Sequence, residues 1–368
     1  MLRKLVIAAS AVAALAAGTM ARAQTPAEIN FGIISTESSS NLKTVWEPFL
    51  ADMEKGTGLK IKAFFASDYA GIIEGMRFNK VQLAWYGNKS AMEAVDRADG
   101  EVFIQSVAKD GSPGYWSHLI VPIDSPIKTL DDVLKCDKSL DFGIGDPNST
   151  SGFLVPTAYI FAAKNIDPKA CFKTVRNGSH EANALATANK QVHVAANNSE
   201  SVERIKKTNP DAFAKIRVIW TSPLIPSDPL AWRKDLDVGA KTKIYTFLMN
   251  YGRVGTPEEL KQQKDVLAGL GWAPFRPSSN DQLLPIRQLE ANKKLFKIEG
   301  DEKIAAEEKA KQVEAVKADI AKLAEEATKI AGSDMTKKVA AFVEAEKAGK
   351  AEDAAKMIAD FAAGFAKK

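Results

Sequence analysis

A chain of 368 residues with 45% hydrophobic content can bury one large core or two medium ones, and its formal charge of +4 is too small and too dispersed for a nucleic-acid footprint. The 3 histidines and 2 cysteines show neither C-x-x-C nor clustered-ligand spacing, so no metal, no cofactor and no dithiol redox site is expected.

Residues 1–23 read as a secretory signal. Arg3 and Lys4 start it, residues 5–17 are apolar, and Ala21-Arg22-Ala23 is an A-x-A cleavage site. The apolar run is short for a membrane span and no cysteine follows the site to carry a lipid, so export to the periplasm is expected. Loss of Arg3, Lys4 and Arg22 lowers the formal charge from +4 to +1.

From residue 28 to about 218, short β-rich runs alternate with amphipathic helices, which predicts parallel sheets with helices on their faces. A strand over 29–34 comes first. Leu42, Val45, Trp46, Phe49, Leu50 and Met53 then fall on one helical face, which Gly56 and Gly58 end. Strands over 59–65, 81–86, 102–107 and 115–121 follow, with helices over 70–79 and from Ser90 between them. A second series has Thr129 capping a helix over 130–134, strands over 140–144, 172–175, 192–196 and 216–220, and helices over 153–164, 181–190 and 201–207. The proline-rich stretch 222–232 returns the chain. The count predicts two αβ lobes: residues 24–121 and 223–298 form lobe one, and 122–222 form lobe two.

Between the strand at 140–144 and the following helix lies Gly145-Asp-Pro-Asn-Ser-Thr-Ser-Gly152. Ser149, Thr150 and Ser151 can donate hydroxyl hydrogen bonds where a helix start exposes unpaired N–H groups, an arrangement suited to a tetrahedral oxyanion. An ordinary Ser/Thr helix cap explains the same residues. Cys136 and Cys171 each precede a predicted strand; a disulfide between neighbouring strand starts is favoured over two buried thiols. From residue 299 to 368 Ala, Lys and Glu dominate, with a thin stripe of Ile304, Val313, Val316, Ile320 and Leu323 and breaks near Gly332 and Gly349. This predicts a helical tail that is a solvated extension or packs on the lobes or on a second subunit.

The strings NFGIISTESSSNLK, AFFASDYAGIIEGMRFNKVQLAWYGNKSAMEAVDRADG, DGSPGYWSHLIV, GDPNSTSGFLVP, NALATANKQV, SPLIPSDPLAWRK and LGWAPFRPSS resemble the substrate-binding component of phosphonate ABC importers over residues 29–287. The resemblance implies an α/β type II periplasmic binding protein fold, with a ligand cleft between the two lobes and a C-terminal helical extension. It implies a receptor, not an enzyme, that captures phosphonates such as 2-aminoethylphosphonate and delivers them to a membrane permease. Ser149, Thr150, Ser151 and His180 match the phosphonate-contacting positions. Glu200 and Asp228 match the carboxylates that take an ammonium group. Tyr69 and Tyr115 match the aromatic walls, and Tyr86 is a further candidate lining residue. The family's dimer contacts imply a homodimer through the C-terminal helices. His193, where relatives usually carry an acid, departs from the pattern. The alternative is a secreted hydrolase using Ser149, His180 and Asp228, which lacks a G-x-S-x-G elbow.

Overall fold

The computed structural model describes residues 28–365, so the expected signal segment lies outside the described residues. Two sheets carry the structure. In chain order the strands are β1 (Glu28–Ile33), β2 (Lys60–Phe65), β3 (Leu83–Trp85), β4 (Gly100–Ala108), β5 (Gly114–Tyr115), β6 (Ser117–Pro122), β7 (Asp141–Ile144), β8 (Thr174–Asn177), β9 (Val194–Asn198), β10 (Ile216–Thr221), β11 (Ile225–Pro226), β12 (Pro229–Arg233) and β13 (Trp272–Pro277). Lobe one has the order β13-β4-β12-β3-β1-β2 and lobe two the order β10-β6-β9-β7-β8.

The expectation of parallel sheets holds only in part. β1 runs parallel to β2 and β3, and β7 to β8 and β9, where each strand is followed by a helix that returns the chain to the same end. Strands next to an inter-lobe crossing enter from the opposite end. β12 is therefore antiparallel to β3 and β4, and β6 is antiparallel to β9 and β10.

The crossings themselves pair as a separate two-stranded ribbon, β5 with β11, in the register Tyr115↔Ile225 and Gly114↔Pro226. A Cβ on Gly114 would lie 1.9 Å from the Ile225 carbonyl oxygen, so only glycine lets these strands meet. The expected boundary at residue 121 falls inside β6, whose six residues belong to the second sheet; the chain crosses at 114–115 instead. Hydrophobic content alone cannot separate these runs, because both are buried.

Lobe one packs its sheet on the Ser39–Thr57 helix, where the predicted face Leu42, Trp46, Phe49, Leu50 and Met53 is buried. Trp46 meets Phe31, Trp85 and Trp272 with ring centroids 5.3 to 5.4 Å apart. Lobe two has clusters on both faces of its sheet, one around Phe142, Phe161 and Phe172 and one around Ile120, Ala184 and Ile205.

The tail forms three helices, Ala306–Ala331, Asp334–Lys347 and Ala351–Phe365, and it is not a free extension. Phe342, Ala354 and Ile358 are buried in the lobe-one core. Arg253 bonds Glu346 at 2.6 Å and holds its guanidinium 5.3 Å from the Phe342 ring centroid. These positions pack on the chain's own lobe, one of the placements expected for the tail, and they give the expected homodimer through the C-terminal helices no support. The helix Leu284–Gly300 contains the expected boundary at 298 and leans on lobe two, its Gly300 packed tightly against Asn165.

Cys136 and Cys171 form a disulfide that closes a loop of sequence separation 35 beside β7 and β8. Reduction should lower the stability of lobe two by about 3–4 kcal/mol on loop entropy. Urea unfolding with and without reductant measures it, and equal midpoints would assign the bond no stabilising role.

Candidate functional site

Among the described residues, six helices start at the cleft between the lobes, three from each side. In lobe one they are Ser39–Thr57, Tyr69–Arg77 and Asn88–Arg97. In lobe two they are the helical run opening at Thr150, then His180–Ala188 and Ser199–Thr208. A βα turn delivers the first residue of each helix to the same edge of its sheet, so Tyr69, Thr150, Ser151, His180 and Glu200 converge although they are far apart in sequence. Asp228 enters between β11 and β12, and Tyr115 lies on the ribbon. All eight predicted site residues line one cavity. It holds about 370 Å³ of atom-free space, part of it open to solvent. This suits a small ligand.

The 145–152 turn is held by its two glycines. Gly145 donates to the Gly152 carbonyl at 2.8 Å, and a Cβ on Gly145 would come within 2.7 Å of the Gly152 backbone. The predicted helix over 153–164 is present but opens three residues earlier, at Thr150, with a wide first turn in which the Leu154 N–H reaches back to the Ser149 carbonyl at 3.0 Å. That places the N–H groups of Thr150 and Ser151 ahead of the first helical bond.

Each hydroxyl of the turn accepts one bond from the protein. Ser149 Oγ accepts from the Gly152 N–H at 3.0 Å, Thr150 Oγ1 from the Lys89 N–H at 2.8 Å, and Ser151 Oγ from the Asn198 amide at 3.0 Å. With a lone pair so occupied, each hydroxyl keeps its own hydrogen to donate. His180 is buried, its Nε2 lies 3.1 Å from the Asn198 amide nitrogen, and its Nδ1 has no partner among the described residues. Burial, reinforced by the Arg204 cation, lowers its pKa to about 4, so the ring is neutral.

The same cavity also holds carboxylates. Burial pushes Asp228 well above the usual carboxylate range, and Glu200 pushes it further; the Tyr115 hydroxyl and Arg204 oppose the rise. Its Oδ1 has no partner among the described residues. Glu200 is also raised, by burial, against the pull of Arg204. A cation placed beside the pair would favour the charged forms of both carboxylates.

The lobes touch directly through acceptors placed on facing helix starts. Glu181 takes the Ser38 N–H at 2.8 Å and the Asn41 amide at 2.5 Å; Asp146 takes the Tyr69 N–H at 3.1 Å; Thr150 takes the Lys89 N–H. Arg204 Nε meets Glu37 Oε1 at 3.0 Å; Glu37 is buried and Arg204 only slightly exposed. This cleft is closed.

Residues 31–283 match the family model of the ABC transporter, phosphonate, periplasmic substrate-binding protein. The chain belongs to this phosphonate-binding family. A phosphonates-binding periplasmic protein of Escherichia coli (strain K12) is 59% identical over 281 residues, which are 76% of this chain and 81% of the relative. The solved binding component of an ABC phosphonate transporter from Pseudomonas aeruginosa is 55% identical with a TM-score of 0.80, over 83% of this chain and 99% of its own. A Prochlorococcus marinus structure in complex with methylphosphonate is 20% identical, covers 73% of this chain and 100% of its own, and shares the fold with a TM-score of 0.63.

Members of the phosphonate-binding family are substrate-binding proteins rather than enzymes, and the hydrolase alternative also lacks its geometry. His180 pairs with Asn198 instead of Ser149, and the Asp228 carboxyl pairs with Tyr115. One further expectation changes, that for Tyr86. Tyr86 turns away from the cleft and donates to the Ile72 carbonyl at 3.2 Å, while Trp85 lines the cavity, since neighbouring strand residues face opposite sides. His193 lies outside the cavity, where its Nδ1 accepts from the Asp141 N–H at 2.9 Å. The sequence reading missed Glu37, Arg204 and Asn198. Arg204 sits in the run SVERIKK, which reads as a solvated helix face, and its only signal is the arginine one turn after Glu200.

Because folded His180 resists protonation while the unfolded residue titrates near 6.5, the native state holds fewer protons between pH 6.5 and about 4. Stability from this group is therefore full above 6.5 and falls with pH across that window, by about 3 kcal/mol at its lower end. The His180→Gln variant should show a shallower loss by urea unfolding; parallel slopes would contradict a buried neutral imidazole.

Proposed function

We propose that this chain captures 2-aminoethylphosphonate or a closely related alkylphosphonate in the periplasm and presents it to the permease of an ABC importer, with residues 1–23 directing its export. The observation that carries this reading is the chemistry gathered in one cavity: hydroxyl and imidazole donors at the starts of two lobe-two helices, and two perturbed carboxylates, Glu200 at the start of a third and Asp228 between β11 and β12. Ser149, Thr150, Ser151 and His180 bind the phosphonate oxygens. Glu200 and Asp228 take the ammonium, and Tyr69 and Tyr115 form the walls of the short chain between them. Cavity size favours a ligand of this length over a nucleotide or peptide.

Ligand and lobes act on one equilibrium. The contacts of Glu181, Asp146 and Arg204 exist only when the cleft is shut, and a ligand touching both walls adds to them, so binding shifts the population toward the closed form that a permease recognises.

Isothermal calorimetry tests the assignment. One-to-one binding of 2-aminoethylphosphonate without turnover is expected, and absence of binding or release of product would defeat it. Glu200→Gln should weaken the amino compound at least about tenfold and methylphosphonate hardly at all, whereas Thr150→Ala should weaken both. Equal losses for the two ligands would overturn this division of labour. Glu181→Gln touches no ligand, yet it should weaken both about three- to tenfold by loosening the closed form. Unaltered affinity would remove Glu181 from the closing mechanism.

A further inference from the structure

Asn198 closes β9 and caps the Ser199–Thr208 helix, and its side chain makes three bonds in a buried setting. The carbonyl oxygen accepts from the Ser201 N–H at 2.7 Å. A backbone N–H can only donate, so this contact fixes which way the amide faces. The amide nitrogen is therefore the atom that lies 3.0 Å from Ser151 Oγ and 3.1 Å from His180 Nε2. Its two hydrogens serve these two acceptors. His180 Nε2, as acceptor, carries no proton, so the single proton of the neutral ring resides on Nδ1, the atom that has no partner among the described residues. Ser151, having accepted, turns its own hydrogen elsewhere.

We propose that Asn198 is a positioning residue that sets the polarity of the anion half of the site: one amide, oriented by one backbone N–H, obliges both Ser151 and His180 to present hydrogen-bond donors. Ser149 and Thr150 reach the same state through the Gly152 and Lys89 N–H groups. The cradle then offers four donors from these side chains and suits a tetrahedral group whose oxygens carry no proton. A P–OH would meet a donor where it needs an acceptor. The inference rests on the proposed phosphonate reading for its ligand, but the placement of the imidazole proton is a property of the free protein.

The substitution that isolates this is Asn198→Asp. Aspartate is an equally good helix cap, so the bond from Ser201 survives, and only the donor nitrogen becomes an acceptor oxygen. Long-range proton–nitrogen NMR of 15N-histidine-labelled protein, assigned by loss of the signal in His180→Gln, reads the tautomer. The wild type should show the proton on Nδ1; a proton on Nε2 overturns the proposal whether or not the Asn198→Asp variant folds. In Asn198→Asp the proton should move to Nε2, and affinity for methylphosphonate by calorimetry should fall at least about tenfold with thermal stability retained. Undiminished affinity overturns the proposal. So does weakened binding with the proton still on Nδ1, which would make the effect one of added negative charge alone. A wild-type protein that binds neither methylphosphonate nor 2-aminoethylphosphonate sinks the functional reading, while the proton assignment still stands or falls by the NMR result.

Discussion

Unpaired N–H groups at helix starts are the constraint on which this cleft is built. Six helices open there among the described residues, and each brings a positive end and donors that need acceptors. Caps within each lobe satisfy some of them: Ser38, Asp68, Ser149, Ser179 and Asn198 each accept from their own helix. The facing lobe satisfies others through Glu181, Asp146 and Thr150. What remains is a ring of donors around a small space, and the same geometry that requires acceptors between lobes requires one in the middle. The hydroxyls of the 149–151 turn extend that donor ring because their lone pairs are already engaged.

The carboxylates have a different origin. Glu200, Asp228 and Glu37 are carboxylates around a cavity whose lining, among the described residues, holds a single compensating cation, Arg204. Burial shifts Glu200 and Asp228 toward their neutral forms, and Arg204, fixed on Glu37 across the cleft, opposes that shift without cancelling it. A zwitterionic ligand resolves both mismatches at once, with its anion meeting donors and its cation meeting carboxylates. Neither half is well matched to a neutral molecule of the same shape.

Much of this arrangement is legible in the sequence because local rules generate it. The three hydroxyls between Gly145 and Gly152 announce a helix start, and the heptad-like run from Leu42 to Met53 announces the lobe-one helix. The two cysteines before short apolar runs point to adjacent strands. Features that depend on how distant segments meet are not legible in this way. Glu181 reads as a first-turn acid of its own helix, yet its carboxylate serves Ser38 and Asn41, some 140 residues away in the chain. Asn198 reads as one of two turn asparagines, and nothing local tells that its amide faces both Ser151 and His180. The tail shows the converse. Its apolar stripe is visible, but whether Phe342 meets its own lobe, another subunit or solvent depends on the shape of a surface that sequence periodicity does not describe.

The glycine in the β5–β11 ribbon has a mechanical consequence. With two strands in backbone contact at Gly114 and Ile225, the joint between the lobes is a paired leaf rather than two independent threads. A paired leaf resists sliding and splaying, because either would break its ladder, but it yields to bending across its thin direction. Lobe two is thereby confined to something close to one arc of travel. On such an arc Arg204 returns to Glu37 and Thr150 to the Lys89 N–H in the same register, so the accuracy of the recognition site is set partly by the backbone pairing of the strand that also carries Tyr115.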